Sequence, residues 1–165
     1  MSHPAGDLGR GCRNAQLLGA QLILSVGIYG YVIETIRTVY APFTGFSPIA
    51  RLDLLRILLA AMAVASLVVI RILVPKLLAA QARGVEILGQ PRASAVVKKL
   101  FAVSVVALAM CEAIAIYGLV LFLIGGNRAD FYGFAAFSLV AFAIHFPRRS
   151  QWEAWARDHA LPLQG

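Results

Sequence analysis

Long apolar runs alternate with short polar segments along the chain. A helix of about 20 residues crosses the hydrocarbon core of a bilayer, which is about 30 Å thick. Apolar helices are predicted over residues 17–39, 48–79, 96–124 and 130–146, and the fourth is short enough to need longer neighbours or a locally thinner bilayer. The pattern predicts an all-α membrane protein, in which residues 1–165 form one domain with a four-transmembrane-helix bundle.

Turn and capping residues mark the ends of these segments. Ser47 before Pro48 is typical of an N-cap followed by proline in the first helical turn. A glycine pair is expected to end the third helix, and Asn127 with Asp130 three residues later resembles a capping box at the start of the fourth. The short connection predicts that the third and fourth helices form an antiparallel hairpin.

The tail after the fourth helix, residues 147–165, has a helical pattern of its own. Its tryptophans fall on one stripe, opposite charged side chains. We expect an amphipathic interfacial helix over residues 151–160, lying on the cytoplasmic membrane face and anchored there by Trp152 and Trp155. A frayed tail is the alternative.

Basic residues are distributed unevenly between the two sides of the predicted bundle. The chain carries 15 lysines and arginines and a net charge of +7. Eleven belong to the N-terminal tail, the central polar loop with its borders and the C-terminal tail, whereas the other side has four, Arg37, Arg51, Arg56 and Arg128. The positive-inside rule then puts both termini in the cytoplasm. We expect a multi-pass protein of a bacterial inner (plasma) membrane.

Composition argues against several classes of protein. Hydrophobic residues make up 60% of the 165 residues, which is more than a soluble domain of this size can bury. No nucleic-acid recognition module accompanies the positive charge. The two cysteines and three histidines are too scattered for a metal site, and no nucleophile has a base beside it. We therefore expect no catalytic residues, no cofactor and no metal, with a lipid-modifying membrane enzyme as the weakest alternative.

Glu112, near the middle of the third apolar segment, is the main candidate functional residue. A carboxylate at this depth costs about 3 kcal/mol on insertion scales, so we expect Glu112 to be protonated. Ser66, Ser104 and Tyr117 are the candidate hydrogen-bond partners beside a backbone carbonyl. Alanines on the second helix predict that Glu112 is buried between helices two and three. Two interpretations stay open, an interhelical structural contact and a functional acid.

The remaining intramembrane charges favour structural roles. Glu34 lies near the outer end of the first helix, with Arg37 one turn away and Arg56 across the loop, so an interfacial ion pair is expected. Arg71 lies near the cytoplasmic end of the second helix. We expect its long side chain to reach the headgroups as a membrane-interface anchor.

The third segment resembles a known family. The stretch KKLFAVSVVALAMCEAIAIYGLVLFLIGG is similar to the outer helix of the proteolipid subunit c of F-type and V-type ATPases. The similarity covers the central hairpin only, because the first and fourth helices have no counterpart in a two-helix proteolipid. Within the hairpin, the second helix departs from the family, since it lacks the closely spaced glycines of the family's inner helix. The resemblance implies that Glu112 is an ion-carrying carboxyl supported by Tyr117. It also implies protons rather than sodium ions, since Ala113 stands where sodium-binding members have a hydroxyl.

Two functional expectations follow from these observations. The first is a non-enzymatic integral membrane subunit or accessory protein of a larger complex, which resembles ATPase proteolipids. Its partners would be the lipid bilayer and other membrane-protein subunits, with a homo-oligomer left open. The second is a proton-translocating subunit in which Glu112 is the carrier carboxyl.

Overall fold

The computed structural model describes residues 4–46, 51–80 and 92–159. In this part of the chain every regular element is an α-helix. The helices are α1 (Pro4–Val39), α2 (Leu52–Ala80), α3 (Arg92–Gly125), α4 (Arg128–His145) and α5 (Arg149–His159). The N-cap expected at Ser47 and Pro48 lies outside the described residues.

Three helices are long and apolar enough to cross a membrane. The apolar stretches are Leu8–Val39 in α1, Leu52–Lys76 in α2 and Val97–Gly125 in α3. Helix α4 has 18 residues and is about 27 Å long, and it is not among the three. The expectation of an all-helical membrane protein is therefore confirmed for three spans.

Helix α3 is the central helix, because it packs against α1, α2 and α4. Its buried side chains form most of the core together with phenylalanines of α4, namely Leu108, Cys111, Ile114, Phe122, Phe131 and Phe142. Helix α2 contributes fewer buried positions, chiefly Ala63 and Ile70. Most of its other apolar side chains are exposed, as expected of a helix facing lipid.

Helices α3 and α4 run antiparallel and in close contact. Asn127 caps α4, and its side-chain oxygen accepts from the amide of Ala129 at 3.0 Å. A Cβ atom at Gly118 would lie 2.6 Å from the Cβ of Phe134 and 3.1 Å from the Cα of Phe131. The glycine at this position therefore lets the two backbones approach closely.

Helix α1 is longer than expected from the apolar pattern. It begins at Pro4 instead of residue 17, and its 36 residues extend over about 54 Å, well beyond a 30 Å hydrocarbon core. The extra turns are held by packing, since Cys12 and Ala15 are buried with Leu100 of α3 and Trp152 of α5. We call this end of the bundle the α5 end, and the opposite end, where α4 begins, the α4-start end.

Candidate functional site

Glu112 receives two hydrogen bonds from α1. The hydroxyl of Tyr29 donates to Glu112 Oε1 at 2.8 Å, and the hydroxyl of Ser25 bonds to the same oxygen. Glu112 is half-buried, and its other carboxyl oxygen has no hydrogen-bond partner among the described residues. Within the described residues, only one of the two carboxyl oxygens of Glu112 therefore receives hydrogen bonds.

The helical repeat of α1 explains why both hydroxyls reach Glu112. Ser25 and Tyr29 are four residues apart, so they lie one above the other on the same helix face. Helices α1 and α3 run parallel, and Gly19 lies against Leu108 one turn below the site. A Cβ atom on Gly19 would lie 3.4 Å from Leu108 Cδ1 and 2.9 Å from an edge carbon of Phe146. Gly19 thus brings α1 close enough for the two hydroxyls to bond across the helix pair.

Ser25 links the protonation of Glu112 to the backbone of α1. Its hydroxyl lies 2.7 Å from the carbonyl oxygen of Leu22 as well as in contact with Glu112 Oε1. A serine has one proton and two lone pairs, whereas a backbone carbonyl only accepts. When the carboxyl carries a proton, Glu112 can donate to Ser25 while Ser25 donates to Leu22. When the carboxyl is ionised, both contacts compete for the single Ser25 proton.

The site opens at the outer surface of the seam between α1 and α3. Along α3, Ala109 and Ile116 lie one turn before and one turn after Glu112, and both are exposed. Along α1, Ile28 and Val32 follow Ser25 and Tyr29 by three residues each, and both are exposed. Glu112 therefore borders the surface that a membrane would cover.

A second polar contact holds α3 beside Glu112. The hydroxyl of Ser138, which is buried on α4, donates to the carbonyl oxygen of Cys111 at 2.7 Å. Polar side chains that bond across helices stabilise helix pairs in membranes. The contact ties the segment of α3 that carries the carboxyl to α4, which also packs against α1.

The partners expected for Glu112 do not bind it. Ser66 donates to the carbonyl of Met62 in its own helix at 2.9 Å. Ser104 is two turns, or about 12 Å, below Glu112 along α3. Tyr117 packs against the hydrophobic core, because five residues of α-helix turn it about 140° away from Glu112. The prediction that Glu112 is buried between α2 and α3 is wrong, because Glu112 lies on the side of α3 that faces α1.

The expected ion pair at the α4-start end is partly present. Arg37 Nη1 lies 2.6 Å from Glu34 Oε2, and the hydroxyl of Tyr132 donates to Glu34 Oε1 at 2.8 Å. Arg56 does not join this pair. It binds Asp130 of α4 through two bonds of 3.0 and 2.9 Å from Nε and Nη2 to Oδ2.

The Arg56 group also reaches within its own helix. A third nitrogen, Nη1, lies 2.8 Å from Asp53 Oδ1, and Nε also bonds the other oxygen of Asp130 at 3.0 Å. The side chain of Asp130 therefore binds Arg56 of α2, whereas a capping box at the start of α4 was expected. Because Arg56 is one turn from the start of α2, the pair ties the first turns of α2 and α4 together.

Two of the three expected interface anchors can be placed. Arg71 is exposed near the α5 end of α2, where a headgroup contact remains a prediction. Trp152 is 4% exposed and packs with Cys12, Ala15 and Leu100, so the prediction that it inserts into the membrane is wrong. Its apolar ring finds protein instead, because α1 extends beyond the bilayer length and offers it a surface. The side chain of Trp155 lies outside the described part.

Ser25 and Tyr29 were not among the sequence-based candidates, although a depth count could have found them. Ser25 lies about 18 Å along the helix from Arg13, and Glu112 lies about 20 Å along the helix from Lys99. These are the basic residues nearest the apolar stretches on the same side of the predicted bundle. A hydroxyl at matching depth on a parallel helix is a suitable partner for a buried carboxyl.

Comparisons with protein-family models, with curated proteins and with solved structures find no match to this chain. The resemblance of α3 to the outer helix of ATPase proteolipids therefore stays a prediction. Within the described residues, no group of three or more histidine, cysteine or acidic side chains is arranged to hold a metal ion. What the geometry offers is a polar site made of one carboxyl and two hydroxyls in an apolar helix pair.

Proposed function

We propose that this chain is a non-enzymatic integral membrane subunit or accessory protein of a larger membrane complex. In this proposal α1 to α4 all cross the bilayer of a bacterial inner membrane, with both termini in the cytoplasm. The uneven distribution of basic residues supports the orientation. The antiparallel packing of α4 on α3 supports a fourth crossing, because a short span is tolerated beside a longer one.

The observation that carries the proposal is the open side of the Glu112 site. A carboxyl inside a bilayer is costly and usually faces protein or a water-lined cavity. Here the chain supplies donors to one oxygen and leaves the side chain half-buried at the α1–α3 seam. A second membrane protein packed over the seam would exclude lipid and provide the missing polar partner.

Extraction in mild detergent tests whether the chain belongs to an assembly. We expect tagged protein from native membranes to elute as a particle larger than one copy of the chain, with co-purifying subunits or further copies identified by mass spectrometry. Ile116→Trp, which adds bulk at the seam, should release the partner. Leu58→Trp changes another exposed apolar position, on α2, and should leave the particle intact. Monomer alone across several detergents would refute the proposal.

Proton transfer by Glu112 is the second candidate function, and the Ser25 contact favours it. The two hydrogen bonds of Ser25 can both form when the carboxyl is protonated and compete when it is ionised. A change in the protonation of Glu112 would therefore change the hydrogen bond between Ser25 and the carbonyl of Leu22. In this way proton binding would be coupled to the contact between α1 and α3. The carboxyl is partly exposed at the α1–α3 seam, so a proton would reach it through the subunit that covers that seam.

Proton flux in reconstituted vesicles separates this candidate from the first. Glu112→Gln keeps the shape of the side chain but cannot release a proton, so flux should disappear. Glu34→Gln is the matched control, because Glu34 is also a half-buried acid bonded to a tyrosine. Unchanged flux in Glu112→Gln would exclude proton transfer by this residue and leave the assembly proposal standing.

A further inference from the structure

A cleft separates α4, along most of its length, from the middle of α2. Both helices pack on α3, and the Arg56–Asp130 pair joins them at the α4-start end. Below that pair two hollows of about 340 and 480 Å³ follow each other toward the α5 end. The first lies between Ala63 and Phe137 and the second between Val68 and Ile144.

The two hollows differ in what lies at their ends. Apolar side chains form most of the lining of both hollows. Asp130, which is paired with Arg56, borders the first hollow, whereas Arg71 and His145 border the second. Arg71 is exposed and makes no hydrogen bond or ion pair within the described residues. His145 Nδ1 lies 3.0 Å from the carbonyl oxygen of Ala141, so Nδ1 carries the proton and Nε2 is left facing away from the backbone. The guanidinium of Arg71, without a partner in the described structure, thus lies at the α5 end of a mainly apolar groove.

The length of the cleft fits one leaflet of a bilayer. From Arg71 to Ala60 on α2 the helix rises about 17 Å, which is close to half of a hydrocarbon core of about 30 Å. Arg71 therefore lies near the headgroup level of one leaflet, and the apolar walls extend to about the midplane. Long basic side chains at such positions reach toward the headgroups.

We propose that this cleft binds one anionic phospholipid from the leaflet at the α5 end. The phosphate contacts the guanidinium of Arg71, and one acyl chain lies between α2 and α4. The proposal commits to a lipid rather than a protein helix because a cationic head joined to an apolar groove one leaflet long matches a phospholipid. It concerns a surface on the far side of α3 from Glu112, so it does not depend on the proposed function.

Thermal unfolding of the purified protein in detergent tests the proposal. Phosphatidylglycerol should raise the Tm more than phosphatidylcholine at equal concentration, because a ligand that binds the folded state stabilises it. Arg71→Gln should weaken the binding of the anionic lipid about fivefold and abolish its advantage. Arg71→Lys should retain most of it, and Arg148→Gln, an exposed basic residue at the same end, should change nothing.

A steric pair of variants tests the groove separately from the charge. Gly133 lines the first hollow, and a Cβ atom there meets nothing within 4 Å, so Gly133→Leu should place its side chain in the groove and reduce stabilisation by lipid. Gly27→Leu is the control, because Gly27 is equally open on α1. Equal stabilisation by the two lipids in the unmodified protein, or an advantage of phosphatidylglycerol that survives Arg71→Gln, would overturn the proposal.

Discussion

Replacing Tyr29 by phenylalanine removes one hydroxyl from the Glu112 site and leaves the aromatic ring in place. The ring packs against the hydrophobic core, so the main loss is the 2.8 Å hydrogen bond to Glu112 Oε1. Hydrogen bonds between membrane helices contribute about 0.6 to 1.7 kcal/mol when measured by double-mutant cycles. A bond to an ionised carboxylate contributes more, about 1.5 to 3 kcal/mol.

We expect Tyr29→Phe to lower the free energy of unfolding by about 0.6 to 1.7 kcal/mol, the value for a protonated carboxyl. The assay is reversible unfolding in mixed micelles with increasing dodecyl sulfate. Combining Tyr29→Phe with Glu112→Leu in a double-mutant cycle isolates the contribution of the pair. A coupling larger than this range would indicate that the carboxyl is ionised in the folded protein.

The matched control is Tyr31→Phe, two residues further along α1. Tyr31 is 75% exposed, and its hydroxyl has no partner in the described structure, so this variant should unfold like the unmodified protein. A coupling energy between Tyr29 and Glu112 within about 0.3 kcal/mol of zero, the usual error of additivity, would refute the α1–α3 site. Equal free energies of unfolding for Tyr29→Phe and Tyr31→Phe would also refute it.

Three further predictions concern the contacts between helices elsewhere in the bundle. Gly118→Ala should destabilise the protein by about 1 to 3 kcal/mol through overpacking. Gly133→Ala, in open space, should be neutral or stabilising because alanine favours helix. Equal effects of the two variants would contradict the close approach of α3 and α4. Arg56→Gln should lower the free energy of unfolding by about 1 to 3 kcal/mol in the same assay, since it leaves the carboxylate of Asp130 on α4 unpaired. Arg128→Gln, at an exposed position, should not. Equal losses in the two variants would argue against the ion pair between α2 and α4. Trp152→Ala should cost about 3 to 5 kcal/mol and speed tryptic cleavage before α5, and unchanged cleavage would mean that α5 is not docked on α1.

The apolar pattern was sufficient to predict the three helices that are long and apolar enough to cross a membrane, because the length and composition of such helices follow directly from bilayer thickness. Asn127 was likewise identifiable as a cap from its place before the fourth apolar run. The start of α1 was not predicted, since its first turns contain arginines and glycines, and its buried contacts are with α3 and α5. Local pattern cannot reveal a helix whose stability comes from tertiary contacts.

The candidate site shows the same division between local and tertiary information. Glu112 stands out in the sequence because a carboxyl in an apolar run is costly wherever it points. Its partners do not stand out, because Ser25 and Tyr29 matter only once α1 is known to run parallel to α3 on the Glu112 side. Asp130 was assigned to its own helix for a similar reason, whereas Arg56 of a different helix binds it.

Photocrosslinking in native membranes tests whether another membrane-protein subunit covers the α1–α3 seam around Glu112. A photoreactive residue at Ile28, which is exposed beside Ser25, is compared with one at Met62, which is exposed at a similar depth on α2. We expect a discrete crosslinked product, either with another subunit or with a second copy of the chain, from Ile28 and not from Met62. If Ile28 gives no protein product and the chain is recovered as a monomer, the seam is not covered by a protein.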